Sequence, residues 1–121
     1  MEAKHSLFKS FAFAFEGLST AIKKGRNFRI QITLALTTSV LGYLLQISST
    51  EWLVLIIIIS FVLILELINT SLEAIVDLVS PEIQGRAKIA KDVAAASVLI
   101  SSVSAVLTGL ILFLPKLLTL M

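Results

Sequence analysis

Three uncharged stretches restrict the folds open to this chain more than any other feature. Asp, Glu, Lys and Arg are absent from residues 30–50, 52–65 and 93–115. A helix needs about 20 predominantly apolar residues to cross the hydrocarbon core of a bilayer, and the first and third stretches reach that length. The chain is also 57% hydrophobic and 15% charged, whereas soluble domains are about 45–50% apolar and about 25% charged. The sequence therefore indicates an integral membrane protein.

The middle stretch is too short to span a membrane unless its helix continues through polar residues. We expect one helix over residues 52–79, with Ser49 or Thr50 as its cap. Ser80-Pro81 would end it, because the residue before a proline avoids the helical conformation. Glu66 would then lie near the far membrane boundary, inside a helical bundle rather than against lipid. The sequence predicts three transmembrane helices, over residues 30–50, 52–79 and 93–115.

Residues 1–29 predict an amphipathic helix on the membrane surface, followed by a basic segment. Apolar side chains recur at three- and four-residue steps in Leu7, Phe8, Phe11, Phe15, Leu18 and Ile22. Such a helix buries one face among the lipid headgroups. The alternative is a short soluble helix that packs on the domain. Gly25 is expected to end or bend this helix.

The cations predict how the chain is oriented in the membrane. One group precedes the first span and consists of Lys4, Lys9, Lys23, Lys24, Arg26 and Arg29. A second group lies between the second and third spans and consists of Arg86, Lys88 and Lys91. By the positive-inside rule, the N-terminus and the loop of residues 80–92 are cytoplasmic and the C-terminus is outside. The split into two short segments also argues against nucleic-acid binding, and without cysteine the chain has no thiol chemistry.

A polar stripe on the middle helix is the candidate site. Its members are Glu66, Asn69, Glu73 and Asp77, at steps of three and four residues, so they lie along one helix face. Ionisable groups in a membrane helix are costly and indicate a functional site by default. The stripe, the Lys91-Asp92 pair and the basic segment all meet at the predicted cytoplasmic surface.

This arrangement suits phosphoryl transfer from a magnesium nucleotide to a group at the lipid surface. Glu66, sheltered at the boundary, is the candidate general base, and Glu73, in water, is the candidate Mg²⁺ ligand. Asn69 can hydrogen-bond a hydroxyl or orient Glu73, and Lys91 can neutralise a phosphate. Buried Glu and Asn also hold membrane helices together by hydrogen bonds. From the residues alone, an enzyme and a transporter fragment or assembly subunit are both open.

Three segments resemble those of a known family. Residues 66–77 read Glu-Leu-Ile-Asn-Thr-Ser-Leu-Glu-Ala-Ile-Val-Asp, residues 87–96 read Ala-Lys-Ile-Ala-Lys-Asp-Val-Ala-Ala-Ala, and residues 27–30 read Asn-Phe-Arg-Ile. In this order they resemble the small prokaryotic diacylglycerol kinase/undecaprenol kinase family, over nearly the whole chain. The resemblance implies an all-α membrane protein, one domain over residues 1–121, with a surface helix, three transmembrane helices and a homotrimer with sites between subunits. It also implies phosphorylation of a lipid alcohol by ATP and Mg²⁺ in the cytoplasmic membrane of a prokaryote.

The resemblance implies roles for individual residues as well. Glu66 corresponds to the catalytic base and Glu73 to the metal and ATP ligand. The other expected nucleotide contacts are Asn69, Asp77, Glu82, Lys91 and Asp92. One departure is Gly25, where the family commonly carries a glutamate as a second metal ligand. Undecaprenol is the expected lipid. The alternatives are diacylglycerol, or a non-catalytic membrane subunit that retains the scaffold.

Overall fold

Four α-helices make up the described part of the chain. The computed structural model describes residues 6–82 and 85–121, so Lys4 of the predicted cytoplasmic cations lies outside the described residues. The helices are α1 (Leu7–Lys24), α2 (Arg26–Leu44), α3 (Ser49–Val79) and α4 (Gly85–Thr119). No strand occurs within the described ranges. The all-α fold predicted from the sequence is confirmed.

α1 is an amphipathic helix with large apolar side chains on its surface. It begins after Ser6, whose hydroxyl oxygen accepts a hydrogen bond from the backbone N–H of Lys9 at 3.2 Å. Phe8 is 83% exposed and Phe15 is 67% exposed, whereas Ala21 is buried. α1 therefore packs on the chain near its C-terminal end and presents phenylalanines outward.

The bend between α1 and α2 lies at Gly25, so the prediction that this residue ends or bends the first helix is confirmed. Its N–H donates to the carbonyl oxygen of Ala21 at 2.8 Å, and α2 begins at the next residue. The Arg29 guanidinium reaches back to the carbonyl oxygens of Ile22, at 2.8 Å, and Lys23, at 3.0 Å. Carbonyl groups in the last turn of a helix lack intrahelical partners, and a cation there is also favoured by the helix dipole. Arg29 thus caps α1 and ties its end to α2.

A capping box starts α3. The backbone N–H of Glu51 donates to Ser48 Oγ at 3.1 Å, and the Ser48 N–H donates to Glu51 Oε1 at 2.9 Å. The prediction of Ser49 or Thr50 as the cap is therefore wrong. Of the three residues, only Ser48 has a glutamate three residues later to complete the box. α3 then runs unbroken to Val79, before the Ser-Pro pair.

We define the packed end of the bundle as the α2–α3 turn with the helix turns that contact it. Its buried cluster consists of Ile47, Leu55, Leu112 and Phe113, with Leu41, Leu45, Trp52, Ile58 and Ile59 packed against it. Gly42 permits this close packing, because a Cβ there would lie 2.9 Å from Ile47 Cδ1 and 3.3 Å from the Trp52 ring. Lys116 Nζ lies 3.0 Å from Glu51 Oε2 on the same side. The packed end therefore joins α2, α3 and α4.

Two of the helices, α3 and α4, are long and apolar enough to cross a membrane. α2 is not among the helices that are long and apolar enough to cross a membrane. It ends at Leu44, before the predicted limit of the first span at residue 50. Its hydroxyl groups donate to carbonyl oxygens of the same helix, as Thr33, Thr37 and Ser39 illustrate. These hydroxyl groups are thus satisfied within α2 itself. A third transmembrane helix stays a prediction.

Candidate active site

The polar stripe of α3 passes from the protein interior to the exterior. Glu66 is 5% exposed and Asn69 is 7% exposed, whereas Glu73 and Asp77 are exposed. All four belong to the unbroken α3 helix and lie along one face of it, as their spacing predicts. A carboxylate that leaves water without compensating hydrogen bonds is strongly unfavourable. The buried Glu66 carboxylate therefore needs hydrogen-bond donors inside the protein.

Glu66 receives one hydrogen bond at each carboxylate oxygen. The side-chain Nε2 of Gln31, on α2, donates to Oε1 at 3.3 Å. The hydroxyl of Thr70, one turn further along α3, donates to Oε2 at 3.5 Å. A carboxylate has about four acceptor positions, so both oxygens can accept a further bond. A general base needs such a free position to take a proton.

Asn69 and Glu73 form the next part of the site. Asn69 Nδ2 donates to Glu73 Oε1 at 2.7 Å, which orients the carboxylate. The Oδ1 atom of Asn69 is buried and has no hydrogen-bond partner among the described residues. Buried polar atoms are nearly always paired, so an unpaired one requires an explanation. This oxygen is available to a ligand beside Glu73.

Two ion pairs lie beyond Glu73. Asp77 is hydrogen-bonded to Lys91, which brings the end of the stripe to α4. Asp92 instead accepts from Lys88 at 2.6 Å, one turn away on the same helix, although Lys91 and Asp92 are neighbours in sequence. Glu82 is exposed in the link between α3 and α4. The structure therefore connects Glu66, Asn69, Glu73, Asp77 and Lys91 along one line and leaves Asp92 and Glu82 beside it.

The predicted metal site contains one carboxylate, that of Glu73. Within residues 6–82 and 85–121, no three His, Asp or Glu side chains are grouped as a metal cage. A Cβ on Gly25 would lie 2.8 Å from the Ala21 carbonyl oxygen, so a side chain fits there only if the α1–α2 bend opens. Mg²⁺ commonly uses one or two carboxylates together with phosphate oxygens and waters. Glu73 and the unpaired Asn69 Oδ1 fit that mode of binding.

Two grooves are lined by the residues that hydrogen-bond to Glu66. The apolar groove, of about 270 Å³, lies between α2, α3 and α4 and is lined by Gln31 together with side chains such as Leu34, Ile59 and Val62. The second groove, of about 600 Å³, lies between α1 and α3, and Thr70 lines it. The two hydrogen-bond donors to Glu66 thus each line one groove. The Glu66 carboxylate is therefore hydrogen-bonded to one residue of each groove.

Gln31 and Thr70 are not among the site residues predicted from the sequence. Thr70 is four residues after Glu66, and residues at this spacing are neighbours on a helix. The contact between Thr70 and Glu66 is therefore predictable from the sequence. Gln31 is an amide in a stretch without charges, which is a weaker signal. Its contact with Glu66 depends on how α2 packs against α3, which the sequence does not specify.

Comparison with known proteins decides the family. The family model described as "Prokaryotic diacylglycerol kinase" matches residues 12–113, which is most of the chain. The chain belongs to this family. Its relatives include an undecaprenol kinase of Bacillus subtilis (strain 168), 37% identical over 110 residues, or 91% of this chain and 89% of that protein. A diacylglycerol kinase of Synechocystis sp. is 42% identical over 117 residues, covering 96% of this chain and 67% of the relative.

A third relative is the diacylglycerol kinase of Escherichia coli (strain K12). It is 30% identical over 106 residues, which cover 88% of this chain and 87% of the relative. The chain is thus an enzyme, a lipid kinase of the prokaryotic diacylglycerol kinase family. For a lipid kinase, the stripe offers a buried carboxylate suited to proton removal and an exposed one suited to a hydrated ligand.

Proposed function

We propose that this lipid kinase transfers the γ-phosphoryl group of ATP to the hydroxyl group of a membrane lipid alcohol, and that the lipid is undecaprenol. The observation that carries the proposal is the position of Glu66, a buried carboxylate with free acceptor positions beside an apolar groove. The relative from Bacillus subtilis supports undecaprenol, because it is an undecaprenol kinase and is similar over most of both chains.

In the proposed reaction, Glu66 is the general base. The lipid chain occupies the apolar groove, and its hydroxyl group lies against the Glu66 carboxylate. Glu66 takes the hydroxyl proton while the lipid oxygen forms a bond to the γ-phosphorus of ATP. The bond from that phosphorus to the bridging oxygen breaks, and the electron pair leaves with ADP. The products are the lipid phosphate and ADP, and the proton passes from Glu66 to water.

The nucleotide would bind where the stripe leaves the protein interior. Glu73 and Asn69 Oδ1 would hold Mg²⁺, which when bound neutralises charge on the phosphate oxygens. Lys91 would pair with a phosphate as a point charge, since Asp77 already holds its ammonium group at the stripe. Asp77, Glu82 and Asp92 complete the proposed nucleotide contacts.

We also propose the membrane arrangement that the family resemblance implies. The chain would cross the cytoplasmic membrane of a prokaryote three times, with the N-terminus and the site cytoplasmic and the C-terminus outside. The distribution of cations supports this orientation. A homotrimer with sites between subunits is likewise what the family resemblance implies. The exposed apolar side chains of α3 and α4, such as Ile57 at 66% and Ile111 at 77%, fit lipid as well as another subunit. The exposed Glu73 is also open to a neighbouring subunit.

A panel of lipids tests the substrate. The purified kinase in detergent or vesicles receives labelled ATP, Mg²⁺ and, in separate reactions, undecaprenol, diacylglycerol or ceramide. The expected result is the highest kcat/KM with undecaprenol. The relative from Synechocystis is a diacylglycerol kinase. A preference for diacylglycerol would overturn undecaprenol as the substrate, while the lipid kinase activity would stand. No transfer to any lipid would overturn the proposed activity.

Replacement of the base tests the reaction. Glu66→Gln keeps the size of the side chain, and its amide oxygen can still accept the hydrogen bond from Gln31 Nε2. The substitution removes the basicity, so turnover should fall by about 100-fold or more. Glu51→Gln is the matched control, because Glu51 is on the same helix at the packed end. Wild-type turnover in Glu66→Gln would reject Glu66 as the base.

A further inference from the structure

We propose that Gln31 is a positioning residue that holds the Glu66 carboxylate for proton transfer. The inference rests on the proposed function, in which Glu66 is the base. Gln31 is the donor that reaches Glu66 from another helix, with Nε2 3.3 Å from Oε1. The second donor, Thr70, belongs to α3 itself and bonds the other oxygen at 3.5 Å. Gln31 therefore fixes the carboxylate relative to α2 and to the apolar groove.

The other end of the carboxamide argues against a purely structural role. Gln31 Oε1 is buried and has no hydrogen-bond partner among the described residues. The free-energy penalty of a buried acceptor without a partner is about as large as the net stabilisation from one hydrogen bond. The Gln31 side chain therefore contributes little to the stability of the fold. The reversed amide would place its carbonyl oxygen against a carboxylate oxygen, two acceptors in contact, so the N–H end faces Glu66.

The location of Gln31 explains what its hydrogen bond can do. Gln31 lines the apolar groove, and its N–H group occupies one acceptor position of Glu66 Oε1. The carboxylate is then held in one orientation, with the remaining acceptor position of Oε1 fixed beside the groove. An amide side chain does not titrate, so Gln31 cannot take the proton itself. It acts through Glu66.

The test compares Gln31→Met with Thr37→Val. Methionine has a similar length and volume but donates no hydrogen bond to Glu66. Thr37 is an exposed residue of α2 outside the lining of the apolar groove, and its hydroxyl donates to the Thr33 carbonyl oxygen of its own helix at 2.8 Å. Gln31→Met should lower kcat by about 10–100-fold, because small displacements of a catalytic group are costly. KM for ATP, KM for the lipid and the thermal unfolding temperature should change little, and Thr37→Val should keep wild-type values.

Gln31→Glu is the rescue variant with its own pH signature. Two carboxyl groups in contact share one proton at mildly acidic pH, so a hydrogen bond to Glu66 is kept and kcat should recover there. As the pH rises, both groups ionise, the bond is lost, and kcat should fall where the wild type does not. Among residues 6–82 and 85–121, the side chains that hydrogen-bond to Glu66 are Gln31 from α2 and Thr70 from α3. The nearby charged group that acts on Glu66 electrostatically is the Glu73 carboxylate.

The outcomes separate this inference from the proposed function. Wild-type kcat in Gln31→Met would overturn the inference, and so would parallel losses of activity and stability that Gln31→Glu does not rescue. Neither result depends on whether Glu66 is the base. That question is decided by Glu66→Gln, whose full activity would overturn the proposed reaction.

Discussion

The packed end of the bundle differs from its other end, which carries Gln31, Glu66 and Asn69 and which we call the site end. The difference lies in how many buried polar atoms have hydrogen-bond partners. At the packed end, Ser48 and Glu51 hydrogen-bond each other's backbone and Lys116 pairs with Glu51, next to a cluster of buried apolar side chains. At the site end, the buried oxygen atoms Gln31 Oε1 and Asn69 Oδ1 have no partner among the described residues. Both belong to residues that hydrogen-bond a carboxylate of the stripe.

This difference indicates that stability and function are separated along the helices. Lipid tails are as apolar as leucine, so membrane helices associate through close packing and hydrogen bonds rather than through the hydrophobic effect. The packed end provides both kinds of contact. The site end keeps unpaired oxygen atoms, which reduces stability and leaves groups free for substrates. We therefore expect substitutions at the two ends to change different observables.

The largest expected effect is that of Glu73→Gln on turnover. The substitution removes the exposed negative charge of the proposed metal site, while glutamine can still accept the hydrogen bond from Asn69 Nδ2. Loss of an electrostatic partner at a reacting centre commonly lowers kcat by about 100-fold or more. We expect that loss, together with a higher Mg²⁺ requirement and an unchanged unfolding temperature. Kinetics measured over a Mg²⁺ titration check it.

Glu51→Gln serves as the control for this variant, because it removes a carboxylate from the packed end of the same helix. It should alter stability slightly and turnover not at all. Equal turnover of Glu73→Gln and the wild type at limiting Mg²⁺ would contradict the role of Glu73. It would also remove the distinction between the two ends.

Substitutions of two glycines, one at the packed end and one in the apolar groove, should have effects of intermediate size. Gly42→Leu should destabilise the protein by about 1–3 kcal/mol, because an added side chain at this position overpacks the contact with Ile47 and Trp52. Activity per folded molecule should stay unchanged. At Gly109 a Cβ would meet nothing within 4 Å, and this residue lines the apolar groove. Gly109→Leu should therefore keep stability and lower kcat/KM for a long-chain lipid about tenfold.

Denaturation in mixed micelles and kinetics on the same preparations check this pair. A short-chain polyprenol extends the comparison, because it fills less of the groove and should be affected less by Gly109→Leu. Equal losses with short and long lipids would show that the groove does not hold the chain. A stable Gly42→Leu variant would show that the packed end tolerates more volume than its geometry indicates.

The sequence predicts those parts of the site that lie on one helix. The spacing of Glu66, Asn69, Glu73 and Asp77 is sufficient to place them on one face, because helix geometry is local. The four-helix, strand-free fold of the described chain follows similarly from long apolar stretches and from Gly25. The chemical roles of these four stripe residues stay predictions, and so do the orientation in the membrane and the oligomeric state.

The contacts between helices could not be predicted in this way. Gln31 meets Glu66 only because α2 packs against α3 in one particular register. Lys91 pairs with Asp77 across helices, while Asp92 pairs with Lys88 on its own helix, although the sequence presents Lys91 and Asp92 as a unit. The cap at Ser48 is different, because it is a local feature. Ser48 and Glu51 have the capping-box spacing in the sequence itself.

The smallest expected effect concerns the backbone of the packed end. Gln46 adopts the left-handed conformation, with φ of 54°, in the turn after α2, where glycine is the preferred residue. Non-glycine residues pay about 1–2 kcal/mol for this conformation, so Gln46→Gly should stabilise the protein by about 1 kcal/mol. Gln46→Ala is the control, because alanine also removes the side chain but keeps a Cβ. A gain for glycine alone assigns the effect to the backbone, whereas equal gains would assign it to the glutamine side chain. Because Gln46 belongs to the packed end, kcat should not change in either variant, and a change would show that the two ends are coupled.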